Sequence, residues 1–363
     1  MNYHVERREC MWEKLASDSR PIVLYGTGNG ADKLRFALEQ IGRTPAGVFA
    51  SDGFVRNRTY GTMPVLSYEE ALHRFGEEMI VLIAFGSSLS DVMAKMDWVA
   101  ARHETYIPEL PLFGEELFTY DYYTVHEAEI SRAYSLLSDE SSQALFRDML
   151  DYRLRGEVRF LSRTETPSDT FRTLLCGMPI RTAIDGGAFK GDSAAVMEES
   201  LAELSCIYAV EPDRRSYAKL CAYADTKNGL VRPIHAALSD HGSMHVFSGS
   251  GSRGAGLSGT NHRARTEEVQ SLTIDALCRE ENVERTDLIK LDVEGEEMPA
   301  LRGAAEVIHR DRPALAISLY HRAGDLFRIP LWIEEQMPGA YRYHLRRAPC
   351  YPAWDLLLVC VPV

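Results

Sequence analysis

The sequence predicts an α/β protein in which two doubly wound domains follow one another. Apolar runs of strand length alternate with amphipathic helical segments over most of the 363 residues. Two of these runs, residues 21–25 and 182–184, are followed by glycine-rich turns that lead into a helix. Because the chain is too long for one ordinary core, we predict a smaller domain over residues 1–110, a helical connector over 111–165 and a larger domain over 166–363.

The composition argues against two classes of partner. A formal net charge of −13 disfavours nucleic acid, because binding to a phosphate backbone requires a basic surface. No apolar run reaches the roughly 18 residues that a membrane-spanning helix needs. The first ten residues, MNYHVERREC, are polar and unlike a secretory leader. We therefore expect a cytoplasmic protein without a membrane span.

The smaller domain starts with a buried strand at residues 21–25, the turn GTGNGA and a helix to about residue 41. A second strand, 47–50, precedes Asp52, which has the spacing of the acid that contacts a ribose in dinucleotide-binding folds. The helix SYEEALHRF and a strand at 79–84 complete the unit. Two interpretations stay open: a bound nucleotide, or a scaffold for docking or oligomerisation, which we favour.

The connector is predicted from apolar residues at helical spacing over residues 125–156. Ser138, Asp139 and Glu140 form a plausible helix start rather than a catalytic acid group. We expect the apolar faces of these helices to pack on both domains.

The larger domain is organised around TAIDGGAFKGDS, residues 182–193. Asp185 closes a strand, and Gly186, Gly187 and Gly191 can adopt positive φ and allow a ligand to approach the backbone. The spacing departs from G-x-G-x-x-G, and a carboxylate at the strand end suits a cationic ligand better than a pyrophosphate. The next strand, 206–210, ends at Glu211, where a carboxylate can accept hydrogen bonds from both hydroxyls of a ribose.

Other strand ends supply further candidates. A strand at 231–237 leads to Leu238, Ser239 and Asp240, the segment LIKLDVEGEE places Asp292 and Glu294 at a strand end, and a strand at 314–319 precedes His321. Glu296 and Glu297 are expected only to favour the start of a helix over 296–308 electrostatically. The glycine-rich segment 247–259, which contains Arg253, is expected to be an active-site flap. Strands at 341–346 and 355–361 close the chain.

These motifs together resemble a known family. TAIDGGAFKGDS, VEPD, SLTIDALC, IKLDVEGEEMPALRGA and SLYHRAGDLFRIPLWI, in this order, resemble the FkbM-type S-adenosylmethionine-dependent methyltransferases over about residues 170–363. The front segments VLYGTGNG, VFASDGFVRN and MPVLSYEEA look like the Rossmann-like domain that precedes the methyltransferase in a subset of the family. The resemblance implies a class I methyltransferase sheet of seven strands with the last one antiparallel. The terminal DLLLVC departs from the acid–threonine pair that family members often carry.

The resemblance implies O-methylation of a hydroxyl on a small-molecule, sugar or glycan-type acceptor, with S-adenosylmethionine as cofactor. His321 or Glu294 would remove the proton. The implied cofactor-binding residues are Asp185, Gly186, Gly187, Ala188, Gly191, Asp192, Ser193, Glu211, Pro212, Leu238, Ser239, Asp240 and Asp292.

Several alternatives stay open. A divalent metal held by Asp292, Glu294 and His321 is considered but not favoured. The acceptor atom could instead be nitrogen or carbon, the chain could act as a nucleotide- or nucleotide-sugar-binding protein through its N-terminal domain, or it could hold S-adenosylmethionine as a sensor. A homodimer is compatible with the additional N-terminal domain.

Overall fold

The computed structural model describes residues 10–51, 59–110, 112–113, 117–249 and 265–363. Asp52, Arg253 and most of the expected flap therefore lie outside the described residues. Within the described part, no helix is both long enough and apolar enough to span a membrane.

The N-terminal part forms an α/β layer around a six-stranded sheet. Its elements are α1 (Met11–Ser17), β1 (Ile22–Tyr25), α2 (Asn29–Gln40), β2 (Gly47–Phe49), β3 (Thr59–Tyr60), β4 (Met63–Leu66), α3 (Tyr68–Phe75), β5 (Ile80–Ile83), α4 (Ser90–Ala100) and β6 (Glu104–Tyr106). The strand order is β3-β4-β2-β1-β5-β6, parallel except for β3. The elements β3, β4, α4 and β6 were not predicted, and the edge strands β3 and β6 are too short to show a periodic pattern.

The connector consists of α5 (Tyr120–Leu136) and α6 (Glu140–Arg155), followed by a 3₁₀ turn (Val158–Leu161) and α7 (Pro167–Leu174). The predicted helix start is confirmed, since the Asp139 carboxylate accepts a 2.6 Å hydrogen bond from the Ser142 N–H. Gly156, with φ +65°, ends α6. Asp139 also lies within 3.2 Å of the Arg346 guanidinium, so the cap ties the connector to the C-terminal sheet.

The C-terminal part is built on a seven-stranded sheet. Its elements are β7 (Thr182–Gly186), α8 (Asp192–Ser200), β8 (Cys206–Val210), α9 (Arg214–Ala224), β9 (Val231–Ile234), β10 (Ala237–Leu238), β11 (Ser243–Gly249), β12 (Arg265–Leu272), α10 (Ile274–Glu280), β13 (Leu288–Leu291), α11 (Glu297–Arg302), α12 (Ala305–Asp311), β14 (Ala314–Ser318), α13 (Asp325–Gln336), β15 (Tyr341–Arg347) and β16 (Leu356–Pro362). The order β15-β16-β14-β13-β7-β8-β9, with β16 antiparallel to both of its neighbours, confirms the predicted fold class.

Two predicted elements are divided in the structure. The strand expected at 231–237 splits into β9, which stays in the large sheet, and β10, which pairs with β12 in a separate three-stranded sheet. The helix expected over 296–308 breaks at Gly303, where a Cβ atom would overlap the carbonyl oxygen of Ser239. Gly303 therefore lies directly against the backbone of the residue that follows β10.

The two sheets meet through the carboxyl end of the first one. The indole of Trp354 lies against Gly86, where any Cβ atom would overlap it, and the backbones of Ser87 and Tyr351 exchange hydrogen bonds of 2.7 and 3.0 Å. Gly30 likewise packs on the carbonyl oxygen of Ala84. Within the turn GTGNGA, packing accounts for Gly26 and Gly30, whereas a Cβ atom at Gly28 would meet open space. The choice between a bound nucleotide and a scaffold therefore stays a prediction. The boundaries at 110 and 165 stay a prediction.

Candidate active site

A cavity of about 380 Å³ opens at the carboxyl ends of the central strands of the large sheet. Small-molecule sites typically occupy about 300–1,000 Å³, and doubly wound sheets bind ligands at this edge. The predicted site residues that line it are Gly187, Asp192, Ser193, Glu211, Pro212, Leu238, Asp292 and Glu294. Asp185, Gly186, Ala188, Gly191, Ser239, Asp240 and His321 are also described but do not line it.

The turn after β7 uses its glycines to pack the chain on itself. Gly187 has φ +73° and Gly191 has φ +96°, conformations that favour glycine. A Cβ atom at Gly187 would overlap the carbonyl oxygen of Asp292, and one at Gly191 would overlap the ring of Tyr223. Packing against neighbouring parts of the protein therefore requires glycine at both positions, and the prediction of backbone contact with a ligand remains open for Gly187, which lines the cavity.

Asp185 lies beneath this turn and is fully buried. One carboxylate oxygen is 3.0 Å from the Lys290 ammonium, and the other accepts a 2.5 Å hydrogen bond from the Ser193 hydroxyl. Lys290 also donates to the carbonyl oxygens of Gly186 and Gly187, at 3.3 and 3.2 Å. Burial alone would lower the pKa of Lys290, but the carboxylates of Asp185 and Asp292 outweigh it and raise that pKa. Asp185 thus holds the turn through Lys290 rather than facing a ligand.

Glu211 follows β8 and is only 6% exposed. Its two carboxylate oxygens accept hydrogen bonds of 2.8 Å from the N–H groups of Phe189 and Asp213. Burial raises the pKa of Glu211 to about 7, because it outweighs the effect of these two hydrogen bonds. The side chain therefore fixes the turn after β7 relative to α9 while it lines the cavity.

Of the three residues predicted after the third strand, Leu238, Ser239 and Asp240, only Leu238 lines the cavity. Leu238, in β10, lines the cavity together with Ala236 and Ala237. Ser239 is buried away from the cavity, and the exposed Asp240 carboxylate lies 2.5 Å from the His241 ring. The prediction that Ser239 and Asp240 face a bound adenine is therefore not supported, because the chain turns away after β10.

Asp292 and Glu294 lie at the cavity wall beyond β13. The Asp292 carboxylate accepts a 2.7 Å hydrogen bond from the Tyr320 hydroxyl. Burial would raise the pKa of Asp292, but the Lys290 ammonium, His321 and the Tyr320 hydroxyl together hold it below its usual value. The site therefore presents an ionised carboxylate whose orientation is fixed.

His321 lies behind these two carboxylates and is fully buried. Its Nε2 is 3.7 Å from Asp292 and 3.4 Å from Glu294, and its Nδ1 is 2.9 Å from Glu297. Burial would lower the pKa of His321, but Glu297 and Glu294 raise it well above its usual value. The prediction that His321 takes a proton from an acceptor needs correction, since the imidazole does not reach the cavity. Glu297, only 1% exposed, is a buried partner of His321 rather than a simple helix-terminus charge.

Comparison with known proteins identifies the domain that carries this site. Residues 185–342 match the methyltransferase FkbM domain family. This segment is an FkbM methyltransferase domain. The chain is therefore a methyltransferase, a transferase of one-carbon groups, and its large sheet has the fold of S-adenosylmethionine-dependent enzymes. No curated protein matches the chain.

Solved structures resemble the chain to different extents. The fold is similar to the crystal structure of methyltransferase FkbM from Methylobacillus flagellatus KT, with a TM-score of 0.68 and 20% identity over 95% of this chain and 90% of that chain. The O-methyltransferase from Bacillus cereus in complex with SAH matches with a TM-score of 0.36 and 13% identity, over 62% of this chain and 92% of that chain. Aeropyrum pernix fibrillarin in complex with S-adenosyl-L-methionine matches with a TM-score of 0.34 and 13% identity, over 53% of this chain and 74% of that chain.

The cavity has two chemically different ends. Near Glu211 its wall is apolar, formed by Val210, Ala236, Ala237 and Leu238. Toward β13, β15 and β16 the lining is acidic, with Glu165, Asp292, Glu294, Glu296 and Asp355. The lining cations in the described part are already engaged: Lys290 by Asp185, Arg346 by Asp139 and Glu165, and Arg347 by the carbonyl oxygens of Cys350 and Leu161.

Three residues that line the cavity share an unfavourable backbone conformation. Phe189, Glu294 and Asp355 have φ values of 49°, 55° and 61°. Such a conformation costs a non-glycine residue roughly 1–2 kcal/mol and is found disproportionately at functional sites.

Proposed function

We propose that the FkbM domain transfers the methyl group of S-adenosylmethionine to a hydroxyl of an uncharged small-molecule, sugar or glycan-type acceptor. The observation that carries this proposal is the two-ended cavity. Its apolar end contains two buried carboxylates, Glu211 and Asp213, of which Glu211 suits the hydroxyls of a nucleoside, and its other end is acidic.

The chemistry of the apolar end fits this cofactor. Glu211 would accept hydrogen bonds from the ribose hydroxyls, since each of its oxygens can accept more than the one bond it already has. Leu238 and Val210 would cover the adenine ring. Asp192 and Ser193, at the start of α8, would face the methionine end, where the Asp192 carboxylate suits an ammonium group.

S-adenosylmethionine supplies a methyl group that its sulfonium sulfur already activates. The protein must therefore align the acceptor oxygen behind the methyl carbon and exclude water. As the oxygen–carbon bond forms, the carbon–sulfur bond breaks with its electron pair on sulfur, and the hydroxyl proton leaves. We assign that proton to Glu294, which lines the cavity, and the orientation of the hydroxyl to Asp292, which Tyr320 holds in place.

The acidic end restricts the class of acceptor. A phosphate or carboxylate group on the acceptor would meet the carboxylates of Asp292, Glu294 and Asp355, besides Glu165 and Glu296, which are paired with Arg346 and Arg322. Like charges brought together in a poorly hydrated cavity repel strongly. Hydroxyl groups, in contrast, can donate hydrogen bonds to carboxylates. We therefore propose a neutral, hydroxyl-rich acceptor.

A product analysis tests this proposal. The chain would be incubated with S-adenosylmethionine carrying ¹³C in its methyl group and with matched acceptors: neutral sugars, their phosphates and the corresponding amino sugars. Nuclear magnetic resonance separates O-, N- and C-methyl carbons. We expect O-methyl products from neutral sugars, reduced by Glu294→Gln and unchanged by Glu203→Gln, an exposed residue paired with Arg181. N-methyl products alone would replace the proposal with the nitrogen alternative, and preference for the phosphates would reject the charge argument.

A further inference from the structure

We infer that the FkbM domain binds a divalent first-row metal ion through the carboxylates of Asp292 and Glu297 and the imidazole of His321. Its use in catalysis rests on the proposed function, because the ion would share the Asp292 carboxylate that is proposed to orient the acceptor hydroxyl. Binding of the ion itself does not depend on that function.

The three side chains lie almost close enough together to bind one metal ion. One ligand atom from each lies within 4.8 Å of the other two. Bonds of about 2.1 Å to each atom require ligand atoms no more than about 4.2 Å apart, so the ion would draw them together slightly. Asp292, whose side chain is 31% exposed at the cavity wall, has the room to make that adjustment.

Unsatisfied polar atoms point to a missing partner at this place. Neither ring nitrogen of His321 makes a well-oriented hydrogen bond with any described residue, although the side chain is fully buried. Glu297 has one oxygen held by the Val293 N–H at 2.8 Å, while its other oxygen has no hydrogen-bond partner in the described part. Buried polar atoms nearly always have partners, and a metal ion would supply one to each of these groups.

The charges around the cluster are unbalanced. Glu294 adds a further carboxylate 3.4 Å from His321 Nε2. The nearest described lysine and arginine also serve other carboxylates, since Lys290 lies 3.0 Å from Asp185 as well as acting on Asp292, and Arg322 lies 3.5 Å from Glu296. A divalent ion would balance these buried carboxylates. The mixed oxygen and imidazole donors favour Mn²⁺, Fe²⁺ or Zn²⁺ over Ca²⁺.

This ligand set differs from the one considered in the sequence analysis. There Glu294 accompanied Asp292 and His321, and Glu297 was assigned only to the helix start. In the structure the first turn of α11 brings Glu297 beneath the imidazole, at 2.9 Å from Nδ1. The metal is now favoured because two of its three ligands are buried and unsatisfied.

Binding of Mn²⁺ to the chelator-treated full-length chain tests the inference without S-adenosylmethionine. Loss of the free-ion signal in electron paramagnetic resonance measures binding, and thermal unfolding with and without Mn²⁺ provides a second readout. We expect one saturable site and a raised melting temperature. Asp292→Asn and His321→Gln should each weaken binding at least about tenfold. His126→Gln, which alters a histidine 2.6 Å from Glu129 on α5, should leave it unchanged.

Absence of saturable binding by the wild-type chain would overturn the inference, and a protonated His321 would then balance the carboxylates alone. Binding that Asp292→Asn leaves unchanged would also overturn it, because the ion would lie elsewhere. If His321→Gln does not fold, Asp292→Asn decides. Failure of the proposed function is distinguishable, since cofactor binding is measured separately and without metal.

Discussion

Replacement of Lys290 by methionine should lower the free energy of unfolding by about 3–5 kcal/mol, the cost of breaking a buried ion pair from one side. Asp185 is fully buried and would be left without its cation. The carbonyl oxygens of Gly186 and Gly187 would also lose a donor, at about 1 kcal/mol for each hydrogen bond, which places the effect toward the upper end of that range.

Urea denaturation of Lys290→Met, Asp185→Asn and the double variant measures this effect. The double variant should recover much of the loss, because no uncompensated charge remains buried. Lys227→Met, which breaks an exposed pair with Glu198, is the matched control and should cost far less. Because the folded-state pKa of Lys290 is raised, its stabilising effect is complete below about pH 10.4 and lost only above it. Equal losses from Lys290→Met and Lys227→Met would refute the account of the turn.

Three further predictions follow from individual residues. Because burial raises the pKa of Glu211 to about 7 and ribose hydroxyls prefer an ionised acceptor, affinity for S-adenosylhomocysteine should rise from about pH 6 to 8 by calorimetry. The slope should be smaller in Glu211→Gln, and an identical slope would contradict the assignment. Gly177→Ala, at φ +77° in open space, should cost about 1–2 kcal/mol in urea denaturation. Gly187→Ala, at φ +73°, should lower the free energy of unfolding by at least twice as much, because its Cβ atom would overlap the Asp292 carbonyl oxygen. Equal losses of unfolding free energy in the two variants would disprove that packing argument. Asp139→Ala should lower the unfolding free energy by about 1–2 kcal/mol through loss of the α6 cap, and an unchanged thermal transition would count against that role.

The fold was largely predictable because its signals are local. Apolar strands that end in Asp185, Glu211 and Asp292 alternate with amphipathic helices, and this pattern specifies a parallel sheet with acids along one edge. The two antiparallel strands that close the chain, β15 and β16, were also predicted from their apolar runs. The break of the helix at Gly303 was not predictable, because it depends on contact with the Ser239 carbonyl oxygen. The end of β9 was not predictable either, because it depends on the pairing of β10 with β12.

The candidate site was less predictable, since its roles depend on which side chains face each other across strands. Asp185 is predicted to contact the ligand, yet its carboxylate forms an ion pair with Lys290 on the neighbouring strand. His321 is predicted to act as a base, but its imidazole is buried against Glu297. That glutamate belongs to a helix that begins several residues after β13, so the spacing along the chain does not reveal the contact. Spacing along the chain brings each acid to the sheet edge and does not determine whether it faces the cavity or a neighbour.

Calorimetric binding of S-adenosylmethionine to the intact chain and to Glu211→Ala tests the central claim most directly. A hydrogen bond to a charged group contributes about 1.5–3 kcal/mol, so the variant should bind at least about tenfold more weakly. Glu203→Ala, at an exposed site paired with Arg181, should bind as the wild type does, and circular dichroism should show that all three chains are folded. Absence of binding by the intact chain, or equal affinity of a folded Glu211→Ala, would contradict the assignment of this cavity to the methyl donor.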